Sequence, residues 1–452
     1  MSRASLWTDL SCEDTDKTRV YLGRSKASPI DLCLSRVDGL SPHDPFLTLV
    51  PDAIRQLRSV VIFATPRYLQ DITDHLSHPT PLLERLSVDT EHEFKPVDKP
   101  ILAPALFDGD LSSLCVLHLQ SVRTELPWRN MVNLTSFTLG RIEVSVRHLL
   151  DFFESASRLR VIELDSATPT SGAQNGRSVS LDCLKKMGID GGEPPSLLLD
   201  HLLIPTGAKL AIRSPFRGSP VEANLPRSLG NLKNLSNFTK IDILLDELFV
   251  RMQFTGPNGG VLLESLTDRV DITSVVLESL AQFDTSDTRW LEISCANPPS
   301  RDLSYRVLLP MKNLHTFTLI QYTYPHAFVD ALHPSLNPAG VVVCPKLEEL
   351  AITLLDGVGL DTKSMIAMAA ARASRGAKLR TVRISDGWSE LRPRGVLELR
   401  KHVLRVEYGP GVCMAQRSDD EEVSDDSDGA SDDSEGASDG GDDGSDDGDE
   451  EE

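Results

Sequence analysis

The 452-residue chain lacks the close cysteine pairs on which most cysteine chemistry depends. Its seven cysteines, at 12, 33, 115, 183, 295, 344 and 413, are nowhere closer than 21 residues. That spacing excludes Cys-x-x-Cys zinc and redox motifs, and the odd count argues against a complete disulfide framework. Cys33 and Cys115 sit in apolar phrases, Ile30-Asp31-Leu32-Cys33-Leu34 and Leu114-Cys115-Val116-Leu117. They are expected as small buried hydrophobes of a reducing compartment. The start, Met1 to Asp9, has no apolar signal core, and no apolar run approaches bilayer length. The expectation is a soluble intracellular protein, cytoplasmic or nuclear, with no membrane partner. Also missing are the phosphate-cradling Gly-x-x-x-x-Gly-Lys and the metalloprotease His-Glu-x-x-His. His75 and His78 have an i, i+3 spacing, but Pro79 follows at once and no third ligand is near, so they read as a surface helix end. Nothing calls for a metal, a cofactor or an enzyme.

Basic charge is absent from one long stretch. Residues 418–452 hold 19 Asp or Glu and no Lys or Arg. Of the chain's 67 acids, 48 therefore remain in residues 1–417, against 46 bases. The net charge of −21 shrinks there to −2. No basic stripe for tracking phosphates stands out, so no nucleic-acid partner is expected. Ser, Asp, Glu and Gly make up nearly all of 418–452. Too little apolar surface offsets the ordering entropy, so 411–452 reads as a linker and disordered acidic tail. Ser418-Asp419-Asp420-Glu421 fits an acid-directed kinase, making Ser418 a candidate phosphorylation site.

What the chain has in abundance is a returning phrase, Leu-x-x-Leu-x-Leu. It begins at Leu114, Leu134, Leu159, Leu314, Leu347 and Leu379, with weaker copies at Leu57 and Leu83. This is the strand signature of a leucine-rich repeat, whose single units cannot bury their apolar faces alone and must stack. Between phrases, Val146, Leu149, Leu150 and Phe153 make one helical face behind a candidate N-cap, Ser145. Ile366, Ala369, Ala370 and Ala373 make another, which Gly376 is placed to end. Such helices supply the crossovers that parallel strands need. The predicted fold is α/β: an irregular leucine-rich-repeat-like solenoid of parallel strands and helices over residues 1–410, with an irregular break near 165–226. The Asn or Cys ladder of a regular repeat is missing, since Val122, Ile142 and Ala167 stand there. Each turn is expected to satisfy its backbone differently. Strands at 238–245 and 248–254, then the turn Gly256-Pro257-Asn258-Gly259-Gly260, predict an antiparallel insertion.

Leu6-Trp7-Thr8-Asp9-Leu10, the helix ending Leu22-Gly23-Arg24-Ser25-Lys26, and Ser28-Pro29-Ile30-Asp31-Leu32 resemble the segment that follows the F-box in fungal F-box proteins. Leu83-Glu84-Arg85-Leu86-Ser87, the later phrases and Phe254-Thr255-Gly256-Pro257-Asn258-Gly259 resemble their degenerate leucine-rich repeats, over roughly 1–410. The resemblance implies a substrate-recognition role, with the F-box holding the adaptor of a cullin ubiquitin ligase. Only five residues precede Leu6, so the adaptor-binding helices are expected to be missing and no adaptor-binding residue is carried over. The rival expectation is a ligase-independent repeat module whose acidic tail binds basic proteins.

Repeat strands expose the residues between the apolar ones. The candidate protein-binding face is therefore His118, Gln120, Thr138, Glu163, Trp290, Glu292, Thr318, Thr353 and Arg383, with Trp290 the best single contact.

Overall fold

The computed structural model describes residues 8–11, 14–36, 49–90, 100–126, 128–170, 176–191, 195–214, 224–226, 229–235, 237–257, 259–266, 271–281, 283–321, 326–354, 361–386 and 393–409. The chain divides into two units, Met1–Cys413 and Met414–Glu452. Every described residue belongs to the first, so the expectations for the acidic tail and Ser418 lie outside the described residues.

The architecture is α/β, built on one mostly parallel 17-stranded sheet. Its strands in chain order are β1 (Asp9–Ser11), β2 (Ile30–Arg36), β3 (Leu57–Ala64), β4 (Arg85–Thr90), β5 (Val116–Gln120) and β6 (Ser136–Gly140). Then come β7 (Val161–Asp165), β8 (Lys186–Asp190), β9 (Lys209–Ser214), β10 (Lys240–Leu245), β11 (Phe249–Thr255) and β12 (Gly260–Leu266). The last five are β13 (Trp290–Cys295), β14 (Thr316–Gln321), β15 (Glu349–Leu354), β16 (Thr381–Asp386) and β17 (Arg405–Tyr408). Neighbours in the chain are neighbours in the sheet from β1 to β9 and from β13 to β17. Between them the order reverses: β9 pairs with β12, β12 with β11, β11 with β10, and β10 with β13. The pairs β12–β11 and β11–β10 are antiparallel, the insertion that the turn at 256–260 predicts. Gly260 is required there, because a Cβ would lie 2.5 Å from the Phe254 carbonyl oxygen.

The second apolar position of the phrase forms a row across the whole sheet. It runs Leu10, Leu32, Val60, Leu86, Leu117, Phe137, Ile162, Met187 and Leu210 through Val261, Phe254 and Ile241 to Leu291, Phe317, Leu350, Val382 and Val406. Every member is buried. Burying such a side chain contributes about 1.5–3 kcal/mol relative to exposure. Two strands of the sheet, β8 and β9, lie within 165–226. Leu184-x-x-Met187-x-Ile189 is a further copy of the phrase, disguised by Met and Ile in place of Leu and by Lys185 and Lys186 inside it.

Three backbone devices recur. The N–H of most leading leucines bonds a carbonyl three residues back: Leu114 to Leu111, Leu134 to Met131, Leu159 to Ala156, Leu184 to Leu181, Leu314 to Met311 and Leu347 to Cys344. Before several strands one carbonyl accepts two N–H groups from the segment leading into the neighbouring strand, as Glu84 does from Cys115 and Val116, and Glu348 from Arg380 and Thr381. At the strand ends, Ser121, Arg141, Ser166 and Gly191 all have positive φ. Their N–H groups donate to the carbonyls of Gly140, Asp165, Asp190 and Arg213 on the neighbouring strands. The expectation that each turn solves its hydrogen bonds differently is thus corrected here, because a backbone device does the work of a side-chain ladder. Val122, Ile142 and Ala167 are then free to be buried and apolar.

A side-chain ladder does exist, at the opposite end of the strands. Asn133 Nδ2 donates to the Ser112 carbonyl at 2.7 Å, and Arg158 to Asn133 Oδ1 at 2.8 Å. Asn313 repeats this with Ser286 at 3.0 Å and Lys346 at 2.8 Å. The signal is Met131-x-Asn133-Leu134-x-x-Phe137-Thr138-Leu139, returning as Met311-x-Asn313-Leu314-x-x-Phe317-Thr318-Leu319.

Helices cross between strands. They include α1 (Thr15–Ser25), capped by Asp14, and α2 (Pro66–His75). In α3 (Val146–Ser155), Ser145 Oγ accepts from the His148 N–H and the buried face is Val146, Leu149, Leu150, Phe152 and Phe153. In α4 (Thr362–Ser374) the buried positions are Met365, Met368, Ala369 and Arg372, a face shifted from the expected Ile366, Ala369, Ala370 and Ala373. Arg372 causes the shift. Fully buried, it donates to the carbonyls of Val343 and Cys344 at 2.7 and 2.8 Å, satisfying the turn before β15. Burial lowers the Arg372 pKa and pushes the Cys344 thiol up to about 12. Cys295 is also buried, whereas Cys33 and Cys183 are exposed and Cys115 half-buried. For Cys33 the reason is strand alternation, which turns Leu32 and Leu34 inward and the residue between them outward. No helix among the described residues is long and apolar enough to cross a membrane.

Candidate protein-binding face

The face opposite the buried row carries three rows of side chains. The middle row includes His118, Thr138 and Glu163 on adjacent strands β5 to β7, then Glu292 and Thr318 on β13 and β14 and Arg383 on β16. Gln120 and Thr353 lie in the row nearer the strand ends, Trp290 in the row nearer the strand starts. The sheet therefore brings the candidates together as two groups. Five strands separate Glu163 from Glu292, roughly 29 Å at the usual strand spacing. Sequence reasoning missed what lies between: Gly188, Ala211, Leu262, Gln253 and Asp242 occupy the middle row there.

The two groups differ in burial. His118, Gln120, Thr138 and Glu163 are half-buried. Glu292, Thr318 and Thr353 are 7%, 9% and 5% exposed, so they are not the exposed contact residues that alternation predicts. In β13 and β15 every residue after the first is buried or nearly so, the pattern of a parallel strand covered on both faces.

Charges on this face are largely compensated. Arg383 bonds Glu349 at 2.8 Å and Glu407 at 2.9 Å, and Arg405 bonds Glu407 at 2.5 Å, linking β15, β16 and β17. Glu163 pairs with Lys186 at 3.0 Å. In the row at the strand ends, Asp165, Asp190, Arg213 and Glu264 are consecutive. Desolvation, then the neighbouring Asp165, raises the Asp190 pKa, against the pull of Arg213. Arg213 bonds Glu264 at 2.8 Å.

Trp290 is half-buried, with the Lys240 ammonium 4.8 Å from its ring centroid. Its Nε1 is buried without a hydrogen-bond partner. A ring with an exposed edge beside a cation is a ready contact surface for a polypeptide.

Among the described residues no group of three or more His, Cys, Asp or Glu is placed to hold a metal ion. Gly436-Ala437-Ser438-Asp439-Gly440 has the spacing of a nucleophile turn, but the residues before it, Ser431-Asp432-Asp433-Ser434-Glu435, are polar, unlike the apolar run that such a turn follows. No protein-family model and no curated protein matches the chain.

Proposed function

We propose that this chain is a non-catalytic protein-recognition scaffold, a divergent leucine-rich-repeat-like solenoid serving substrate recognition of the F-box type. The observation that carries this reading is the pairing of one unbroken apolar row across 17 strands with a chemically varied opposite face. Stacked parallel strands fix many side chains at regular spacing, which suits a protein ligand bound through many small contacts. The face around His118, Thr138 and Glu163, with Trp290 as a separate aromatic anchor, is the surface offered. A Skp-type adaptor is a partner only where an F-box precedes this sequence in a longer protein.

Affinity capture with the full chain tests this reading. Trp290→Ala and Glu163→Gln should each lose a protein that the native chain retains, with the melting temperature unchanged within about 2 °C, since an exposed ion pair contributes little. Identical captured sets would end it.

The charge of residues 418–452 favours a second reading, in which those 19 acids hold a basic protein independently of any ligase. Binding of that kind weakens steeply with salt and is lost on deleting 418–452.

A further inference from the structure

The starts of β7, β8 and β9 carry five exposed cations in consecutive repeats: Arg158, Arg160, Lys185, Lys186 and Lys209. Backbone hydrogen bonds fix them as neighbours. The Arg160 carbonyl accepts from Lys185 and Lys186, and the Lys185 carbonyl from Lys209. Lys186 stands directly opposite Lys209 in the parallel register. Like charges facing each other across strands are destabilising. Counter-charges are sparse. Glu163 pairs with Lys186, Arg158 is held by the neutral Asn133, and Asp182 accepts from Ser180. Among the described residues, Arg160, Lys185 and Lys209 have no ion-pair partner.

The same edge continues as an open groove of about 630 Å³, lined among others by Arg58, Leu82, Glu84, Cys115, Arg158 and Arg160. It extends from Arg58, beside Asp31, to Cys183 before β8. That is roughly 24 Å across the intervening strands, the length of about seven extended residues. The walls mix apolar side chains with Arg58 towards one end and Arg158 and Arg160 towards the other, where the further cations Lys185, Lys186 and Lys209 follow.

We propose that this edge docks an extended acidic segment of a partner protein, its backbone in the groove and its carboxylates over the cations of β7 to β9. The inference rests on the scaffold reading and gives it a second surface with a defined partner chemistry. A peptide is favoured over a nucleic acid because Glu84 and Glu163 interrupt the basic run and no aromatic residue lines the groove for base stacking.

The test is fluorescence anisotropy with a labelled twelve-residue Glu/Asp peptide and the full-length protein. It is run on the native chain and on a full-length variant whose 19 acids in 418–452 are Asn or Gln, so that the chain's own acids do not compete with the probe. Binding is expected, with the Kd rising about tenfold from 50 to 300 mM salt. Arg160→Gln/Lys185→Gln/Lys209→Gln should weaken it at least tenfold without lowering the melting temperature, since the change also removes repulsion. Three results would overturn the proposal: no binding to either protein, equal binding to the triple variant, or tighter binding of a twelve-base-pair DNA duplex than of the peptide. Trp290→Ala should bind the peptide normally. If the peptide fails while Trp290→Ala still loses a captured protein, only this edge falls and the scaffold reading stands.

Discussion

At Ser121 the backbone takes φ 59°, a region that costs a residue with a Cβ about 1–2 kcal/mol. The same residue is 5% exposed and its hydroxyl is buried without a partner. Its N–H and carbonyl do the useful work, bonding the Gly140 carbonyl and the Thr90 hydroxyl. Ser121→Gly keeps both bonds and removes both costs. It should stabilise the protein by about 1 kcal/mol after the entropy lost to glycine, seen as a raised midpoint in urea. Asp190 gives a pH-dependent case. Its raised pKa means that the folded protein holds the proton to a higher pH than the unfolded chain, whose value is near 3.8. Stability from this group is complete below that value and falls as pH rises through the folded pKa. Asp190→Asn should therefore raise the melting temperature at pH 7 and leave it unchanged near pH 3, where both states carry the proton. A constant difference across that range would assign the effect to packing instead.

Among the elements, the side-chain ladders tie the starts of β5, β6 and β7 together, and likewise those of β13, β14 and β15. Asn313 reaches one repeat back through Nδ2 and receives Lys346 from the next repeat. Asn313→Ala leaves the Ser286 carbonyl without that donor and should cost about 1–2 kcal/mol by denaturant titration. Asn133→Ala, at the equivalent place, should cost the same within error. Much of this level was legible. The phrases at Leu114, Leu134, Leu159, Leu314, Leu347 and Leu379 all lead into strands, and the Gly-Pro-Asn-Gly-Gly turn announces the antiparallel insertion. Less legible was the α4 face, because a buried arginine reads in sequence as a solvated residue. Its burial depends on two carbonyls about 28 residues away in the chain. The exposed cysteine at 33 was misread for a local reason, since neighbours in a strand point oppositely.

At the scale of the whole sheet, nearly every strand pairs with the one before it in the chain. Among the described residues β1 and β17 each pair on one side only, with β2 and β16. Amide exchange should therefore be slowest in β5 to β8 and in β13 to β15, and fastest in β1 and β17. Fast exchange throughout β13 to β15 would contradict the double-sided burial found there. The basic edge also belongs to this scale. Its five cations are spread over residues 158–209 of a nearly neutral region, and only stacking of β7, β8 and β9 gathers them. For that reason no basic stripe could be read along the chain. Likewise, alternation alone makes the residues at 118–163 and 290–383 equivalent, although Glu292, Thr318 and Thr353 are buried. By itself the sequence determined the α/β class, most of the strand positions and which of the Leu-x-x-Leu-x-Leu side chains turn inward, because those follow from a period of two and from local turn chemistry. Only the tertiary structure decided that β12 rather than β10 lies beside β9, which outward residues stay exposed, and which charges become neighbours. Each of these depends on pairing between residues far apart in the chain, and alternation within a single strand carries no information about its neighbours.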